Sequence, residues 1–78
     1  MELFQQVRKI ISDTIGVPLL KITRETSNVD FGAWDSFAHV ELMISLEQTF
    51  DISLEVEDLA KLTSVRAILE YLETHRET

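Results

Sequence analysis

The absence of cysteine from a chain of only 78 residues is the feature that most limits what this sequence can fold into. A chain of this length has room for one small core and one domain, 1–78. No disulfide can stabilise that core, and the two histidines, His39 and His75, are too far apart in sequence for a zinc site. We therefore predict a fold with mostly local contacts, which favours an all-α structure without a metal site.

The charge balance limits the choice of partners. Fourteen acidic residues stand against seven basic ones, so the formal net charge is −7. This charge repels phosphate backbones and anionic lipids, and it attracts proteins with basic patches. No apolar stretch approaches the roughly 20 residues that cross a bilayer, and the first residues lack the features of a secretory signal. We therefore expect a cytoplasmic monomer that binds no nucleic acid.

Apolar residues recur with helical spacing in three segments of the chain. The first helix ends at Gly16, which suits a left-handed terminal turn. The second helix covers 37–50 behind Asp35 as its N-cap, and the last begins after the hydroxyl pair 63–64. One or two helical turns over 57–62 precede the last helix. The predicted fold is a small up-down bundle of three main helices and one short helix, with a long first loop.

The first loop, 18–35, is too apolar for a solvated linker. The apolar residues that we expect to pack on the core are Leu19, Leu20, Ile22, Val29, Phe31 and Trp34. A structureless connection of this length is uncommon in a small domain. The segment therefore contains either a short helix or a functional loop.

The second helix has two apolar stripes where one is usual. At about 100° per residue, the side that we expect to face the core collects Leu42, Met43, Leu46 and Phe50. The opposite side collects the apolar residues Phe37, Val40 and Ile44, interleaved with the polar residues Glu41, Glu47 and Gln48. Either the first loop buries this second stripe, or the stripe is a docking face on which charges steer a partner and apolar residues anchor it.

The start of this helix resembles a known family. Asp35-Ser36-Phe37, followed by Val-Glu-Leu at 40–42 and Leu-Glu-Gln-Thr-Phe at 46–50, is similar to the Asp-Ser-Leu motif and second helix of acyl carrier proteins. The resemblance spans nearly the whole chain. It implies that a transferase attaches 4'-phosphopantetheine to Ser36, that Asp35 helps the transferase engage this serine, and that the thiol of the arm carries acyl groups as thioesters. Such a carrier has no catalytic residues of its own.

The resemblance also implies where partners and cargo bind. The implied partners are a phosphopantetheinyl transferase and acyl-loading, condensing or acyltransferase enzymes with basic docking patches. Their implied docking residues on this chain are Phe37, Val40, Glu41, Ile44, Glu47 and Gln48. The acyl chain would lie between the second and last helices, lined by Met43, Leu46, Leu62 and Ile68. The chain would be a free-standing member of the family. Phe37 in place of the usual leucine, and Trp34 before the Asp-Ser pair, depart from the family pattern and make it a divergent member, and a specialised pathway is a hypothesis that loading assays with candidate ligases test.

Alternatives remain for the cargo and for the carrier role itself. The carrier could serve fatty-acid, lipid or secondary-metabolite synthesis, or hold aminoacyl or hydroxyacyl groups. A small acidic adaptor that never carries the arm is the rival from another class of protein. Modification of Ser36 discriminates between them, because an adaptor would tolerate alanine at this position.

Two other readings of the sequence fail on their spacing. Ser36 and His39 lie one helical turn apart, but no Gly-x-Ser-x-Gly elbow surrounds the serine, so we interpret His39 as a packing or capping residue and not as a catalytic base. A calcium loop over 51–62 would need glycine where Val56 stands and glutamate where Leu62 stands. The sequence therefore predicts neither a hydrolase nor a calcium-binding protein.

Overall fold

Residues 2–75 are described by the structure, a computed structural model, and they form four α-helices and two 3-10 turns. The helices are α1 (Leu3–Ile15), α2 (Ser36–Phe50), α3 (Val56–Lys61) and α4 (Val65–His75), and the turns are Leu19–Lys21 and Asn28–Asp30. Residues 1 and 76–78 of the predicted domain lie outside the described residues. The prediction of an all-α bundle with three longer helices, one short helix and a long first loop is confirmed.

The ends of α1 and α4 follow from single residues. Gly16 has a φ of 73°, in the left-handed region, and its N–H donates a hydrogen bond to the carbonyl of Ser12 at 2.9 Å. Glycine adopts this conformation without the Cβ clash that other residues meet. At the other end of the chain, the hydroxyl of Ser64 accepts a hydrogen bond from the N–H of Ala67 at 3.1 Å. Ser64 is therefore the N-cap residue of α4.

The hydrophobic core lies where α1, α2 and α4 meet. α1 packs against both α2 and α4, and α3 packs against α2. Each long helix buries the apolar stripe that its sequence predicts, and the completely or almost completely buried side chains are Val7, Ile11, Leu42, Met43, Leu46, Val65, Ile68 and Leu72. Burial of apolar side chains is the main favourable contribution to folding in a chain without disulfides.

The first loop is held against the core and against the segment between α3 and α4. Ile22 is fully buried, and Trp34 is 3% exposed. The carbonyl of Thr26 accepts a hydrogen bond from the N–H of Val65 at 2.9 Å, and the N–H of Asn28 donates to the carbonyl of Thr63 at 2.9 Å. Two buried side chains and two backbone hydrogen bonds therefore fix the loop in place.

The expectation that all the apolar residues of this loop pack on the core is wrong. Leu19 is 39% exposed, Leu20 is 80% exposed and Val29 is 85% exposed. Leu20 and Val29 are the middle residues of the two 3-10 turns, Leu19–Lys21 and Asn28–Asp30. Connecting segments run over the protein surface, so the middle residue of such a turn faces solvent. The loop thus contains two short 3-10 turns and no α-helix.

Candidate functional site

Ser36 is the first residue of α2, and its side chain is exposed. Asp35 precedes it as the N-cap residue, and its carboxylate accepts a hydrogen bond from the N–H of Ala38 at 2.9 Å. The first N–H groups of a helix have no partner within the helix, and the helix dipole is positive at this end. An anionic group such as a phosphodiester is favoured here. The position of Ser36 therefore fits a phosphate ester on its hydroxyl.

An open cavity of about 540 Å³ lies beside Ser36. Its walls come from the first loop, the first turns of α2, α3 and the segment that follows α3. The residues that line it are Asn28, Trp34, Asp35, Ser36, His39, Val40, Val56, Leu59, Ala60 and Thr63. The hydroxyl of Ser36 thus lies at the edge of a partly apolar cavity, where a chain attached to it has room.

His39 connects the elements that surround this cavity. The indole N–H of Trp34 donates a hydrogen bond to Nδ1 of His39 at 3.0 Å. The other ring nitrogen, Nε2, lies 2.7 Å from the carbonyl oxygen of Leu59. The packing role that the sequence predicts for His39 thus takes the form of two hydrogen bonds, one to the first loop and one to α3.

The second apolar stripe of α2 is exposed. Phe37 is 73% exposed, Val40 is 46% exposed and Ile44 is 48% exposed. Of the two explanations that the sequence leaves open, burial under the first loop is therefore wrong, because that loop leaves the stripe in solvent. The polar residues Glu41 and Gln48 of the same helix are also exposed. An apolar patch with polar neighbours on one exposed helix face is typical of a protein interaction surface.

Glu47 has a contact that its place in the sequence does not indicate. It is half-buried, and its carboxylate accepts a hydrogen bond from the N–H of Leu54 at 2.7 Å. The connector between α2 and α3 is therefore tied back to α2 by this side chain. Glu47 is less available to a partner than the exposed Glu41.

The four residues predicted to line an acyl pocket are Met43, Leu46, Leu62 and Ile68, and all of them belong to the buried core. None of them lines the cavity beside Ser36. A pocket among these four side chains stays a prediction.

The residues of the observed cavity that the sequence did not indicate are Asn28, Val56, Leu59, Ala60 and Thr63, which come from separate segments and share no local periodicity.

Comparison with known proteins identifies the family. The family model described as "Phosphopantetheine attachment site" matches residues 5–72. A protein named "Acyl carrier protein" from Clostridium acetobutylicum is 36% identical over 74 residues, which cover 95% of this chain and 96% of that protein. The chain belongs to the acyl carrier protein family. As an acyl carrier protein it is a carrier and not a catalyst, and it bears a covalently attached 4'-phosphopantetheine.

Family membership also defines the general kind of partner. An acyl carrier protein acts with a phosphopantetheinyl transferase and with synthesis enzymes.

Over residues 2–75, the acyl carrier protein has no helix long and apolar enough to cross a membrane. Its described residues also contain no group of three or more metal-ligating side chains.

Proposed function

We propose that Ser36 carries the 4'-phosphopantetheine arm and that the chain delivers acyl groups on this arm to enzymes of fatty-acid, lipid or secondary-metabolite synthesis. The observation that supports this assignment best is the position of Ser36, exposed at the N-terminus of a 15-residue helix and beside a cavity of about 540 Å³. The hydroxyl is accessible to a transferase, and the helix end stabilises the phosphodiester that forms on it.

The other serines of the chain lack this combination. The hydroxyl of Ser12 donates to the carbonyl of Val17 at 2.6 Å, and the hydroxyl of Ser64 is used as a helix cap. Ser45 is half-buried within α2. Ser27 is half-buried, and its side chain caps the 3-10 turn Asn28–Asp30. Ser53 is exposed, but it lies in the connector between two helices and not at a helix N-terminus. Ser36 is thus the serine best placed for modification.

The chemistry of attachment asks little of the carrier. The oxygen of Ser36 attacks the phosphorus of coenzyme A that bears the pantetheine group, a new O–P bond forms, the bond to the nucleotide phosphate breaks, and adenosine 3',5'-bisphosphate leaves. The hydroxyl proton passes to a base of the transferase. In this account, the carrier provides an exposed nucleophile, and the partner provides catalysis.

We further propose that the exposed stripe of α2 is the docking face for these enzymes. Its apolar members Phe37, Val40 and Ile44 would enter a pocket of the partner. The exposed Glu41 and Gln48, and to a lesser extent the half-buried Glu47, would meet the basic residues around that pocket. The support for this proposal is the exposure of the three apolar side chains, together with a net charge of −7 that steers the chain toward basic surfaces. The docking face lies on the same helix as Ser36.

A second class of cargo is also consistent with the cavity. The cavity is lined by polar residues such as Asn28 and Thr63 as well as by apolar residues such as Trp34 and Val56. Such a mixed wall favours a short polar cargo, such as a hydroxyacyl or aminoacyl group, as well as a short alkyl chain. Transfer of each cargo class to the carrier by candidate ligases, measured side by side, decides between them.

Intact mass spectrometry tests the assignment of Ser36. The purified chain is incubated with coenzyme A, magnesium and a phosphopantetheinyl transferase of broad specificity, beside the variants Ser36→Ala and Ser53→Ala. We expect the wild type and Ser53→Ala to gain one phosphopantetheine, and Ser36→Ala to gain none. Modification of Ser36→Ala would refute the assignment, and absence of modification from every sample with several transferases would favour the acidic adaptor.

The docking face is tested by a pair of charge-introducing variants. Phe37→Asp places a carboxylate on the proposed face, whereas Leu20→Asp introduces the same group at an equally exposed apolar residue of the first loop. Because burial of a phenylalanine side chain contributes about 1.5–3 kcal/mol, we expect Phe37→Asp to raise the KM of the transferase by roughly tenfold or more. Leu20→Asp should leave the KM of the transferase unchanged. Equal effects of both variants would refute a specific docking face.

A further inference from the structure

The hydrogen bonds of His39 fix the protonation state of its ring. An indole N–H only donates, so Nδ1 of His39 must accept from Trp34 across their separation of 3.0 Å. The ring proton of a neutral imidazole is then on Nε2, and it is donated to the carbonyl of Leu59 at 2.7 Å. His39 therefore acts as acceptor on one side and donor on the other, a combination that only the neutral ring provides.

Both partners of His39 are groups that lack an alternative. Trp34 is 3% exposed, so its indole N–H is removed from bulk water. Leu59 is in the last turn of α3 (Val56–Lys61), where carbonyl groups run out of partners within the helix. The closing backbone hydrogen bond of this helix goes from the N–H of Leu62 to the carbonyl of Asp58. His39 thus satisfies a buried donor of the first loop and a terminal acceptor of α3 together.

α3 depends on such contacts more than the other helices do. It has six residues, and none of its side chains belongs to the fully buried class. A helix of this length is not stable alone, and most of its stability must come from tertiary contacts. The hydrogen bond from His39 therefore acts together with the packing of Leu59 on the core to hold α3 beside α2.

Trp34, His39 and Leu59 all line the cavity beside Ser36, and each comes from a different element. We infer that His39 is a positioning residue: through its two hydrogen bonds it fixes the first loop and α3 relative to the first turn of α2, and so keeps the surface around Ser36 in the shape that partner enzymes bind. This inference depends on the proposed function of Ser36. The same inference assigns a role to Trp34, a residue that departs from the usual family sequence. Trp34 is the hydrogen-bond partner of His39 in the first loop.

Two substitutions separate the hydrogen bonds from the volume of the side chain. His39→Leu fills similar space without donor or acceptor. His39→Gln keeps one acceptor and one donor on its amide. Helical circular dichroism of both variants shows whether α1, α2 and α4 still fold, and rescue by glutamine distinguishes hydrogen bonding from simple packing.

The indole N–H resonance of Trp34 reports on the hydrogen bonds directly, because the chain has one tryptophan. We expect this resonance to be shifted downfield and to exchange slowly with water in the wild type and in His75→Gln, because the indole N–H is hydrogen-bonded to Nδ1 of His39 at 3.0 Å. We expect both features to be lost in His39→Leu, which removes the acceptor. An indole N–H with the same chemical shift and exchange rate in the wild type and in His39→Leu would refute the hydrogen-bond network.

Loading kinetics test the positioning role itself. His39→Leu removes two hydrogen bonds, each of which corresponds to roughly fivefold in an equilibrium, so we expect it to raise the KM of the transferase by about fivefold or more with kcat little changed. His39→Gln should return KM to within about twofold of the wild type. Unchanged kinetics in His39→Leu, with the indole resonance altered, would overturn the positioning role. Failure of the Ser36 assignment would appear differently, as a wild-type chain that gains no arm while the indole result is unaffected.

Discussion

Asp35 has one observed role and one proposed role, and mutation can separate the two. Its carboxylate caps α2 by accepting the N–H of Ala38 at 2.9 Å. The resemblance to carrier proteins assigns it a second role, in helping the transferase engage Ser36. The first role needs only a hydrogen-bond acceptor, whereas the second needs the negative charge. Asp35→Ser keeps an acceptor at the cap and removes the charge, and Asp35→Ala removes both.

The expected change in stability follows from the cap geometry. Replacing an N-cap aspartate by alanine costs about 1 kcal/mol, within a range of about 0.5–2 kcal/mol. For a chain of this size, 1 kcal/mol corresponds to a shift in Tm of roughly 4–8 °C. We therefore expect Asp35→Ala to lower Tm by about this amount, and Asp35→Ser, which restores a cap side chain of similar preference, to lie within about 2 °C of the wild type.

Thermal unfolding and loading kinetics on the same three proteins test both roles. If the charge contributes to engagement of the transferase, both variants load more slowly, although only Asp35→Ala is less stable. Equal destabilisation by serine and alanine would refute the capping argument. Normal loading of Asp35→Ser would refute the role of the charge and leave Asp35 as a cap alone.

Four further outcomes follow from particular contacts and charges. Asp51→Gly should stabilise the chain by about 0.5–1 kcal/mol in chemical denaturation, because Asp51 ends α2 at a φ of 55° where glycine meets no steric penalty. Leu42→Ala should cost about 2–5 kcal/mol in the same assay, since Leu42 is fully buried. Partial burial and the carboxylate of Asp58, 3.5 Å away, raise the pKa of Tyr71. The resulting stabilisation of the folded state is complete below about pH 10 and is lost as pH rises through the folded-state pKa. Absorbance titration of Asp58→Asn should give a lower pKa for Tyr71. Added salt or divalent cations should raise Tm, because the net charge of −7 is self-repelling; a lower Tm would contradict this.

Local sequence signals predicted the helices well because each depends on neighbouring residues. Gly16 stops α1 through its own φ, and Ser64 starts α4 with its own hydroxyl. The exposed stripe of α2 was likewise visible in the spacing of Phe37, Val40 and Ile44. What spacing did not settle was whether the first loop covers that stripe, because burial depends on where a separate segment packs.

The surroundings of Ser36 depend on segments that are distant in sequence. The cavity is lined by Asn28, His39 and Leu59 from three different segments, and no pattern in the chain places them together. The hydrogen bond between Trp34 and His39 spans five residues across a helix start, so helical periodicity does not predict it. These contacts become apparent only when the chain has folded.

Localisation of the arm by fragmentation mass spectrometry tests the central claim most directly. Tryptic cleavage of the loaded chain after Arg24 and Lys61 yields a peptide, 25–61, that contains Ser36 together with the serines at 27, 45 and 53. Fragment ions across this peptide assign the added phosphopantetheine to one residue. We expect every modified peptide to carry the group on Ser36. Its presence on another serine would contradict the assignment of Ser36, even if the chain as a whole gains one arm.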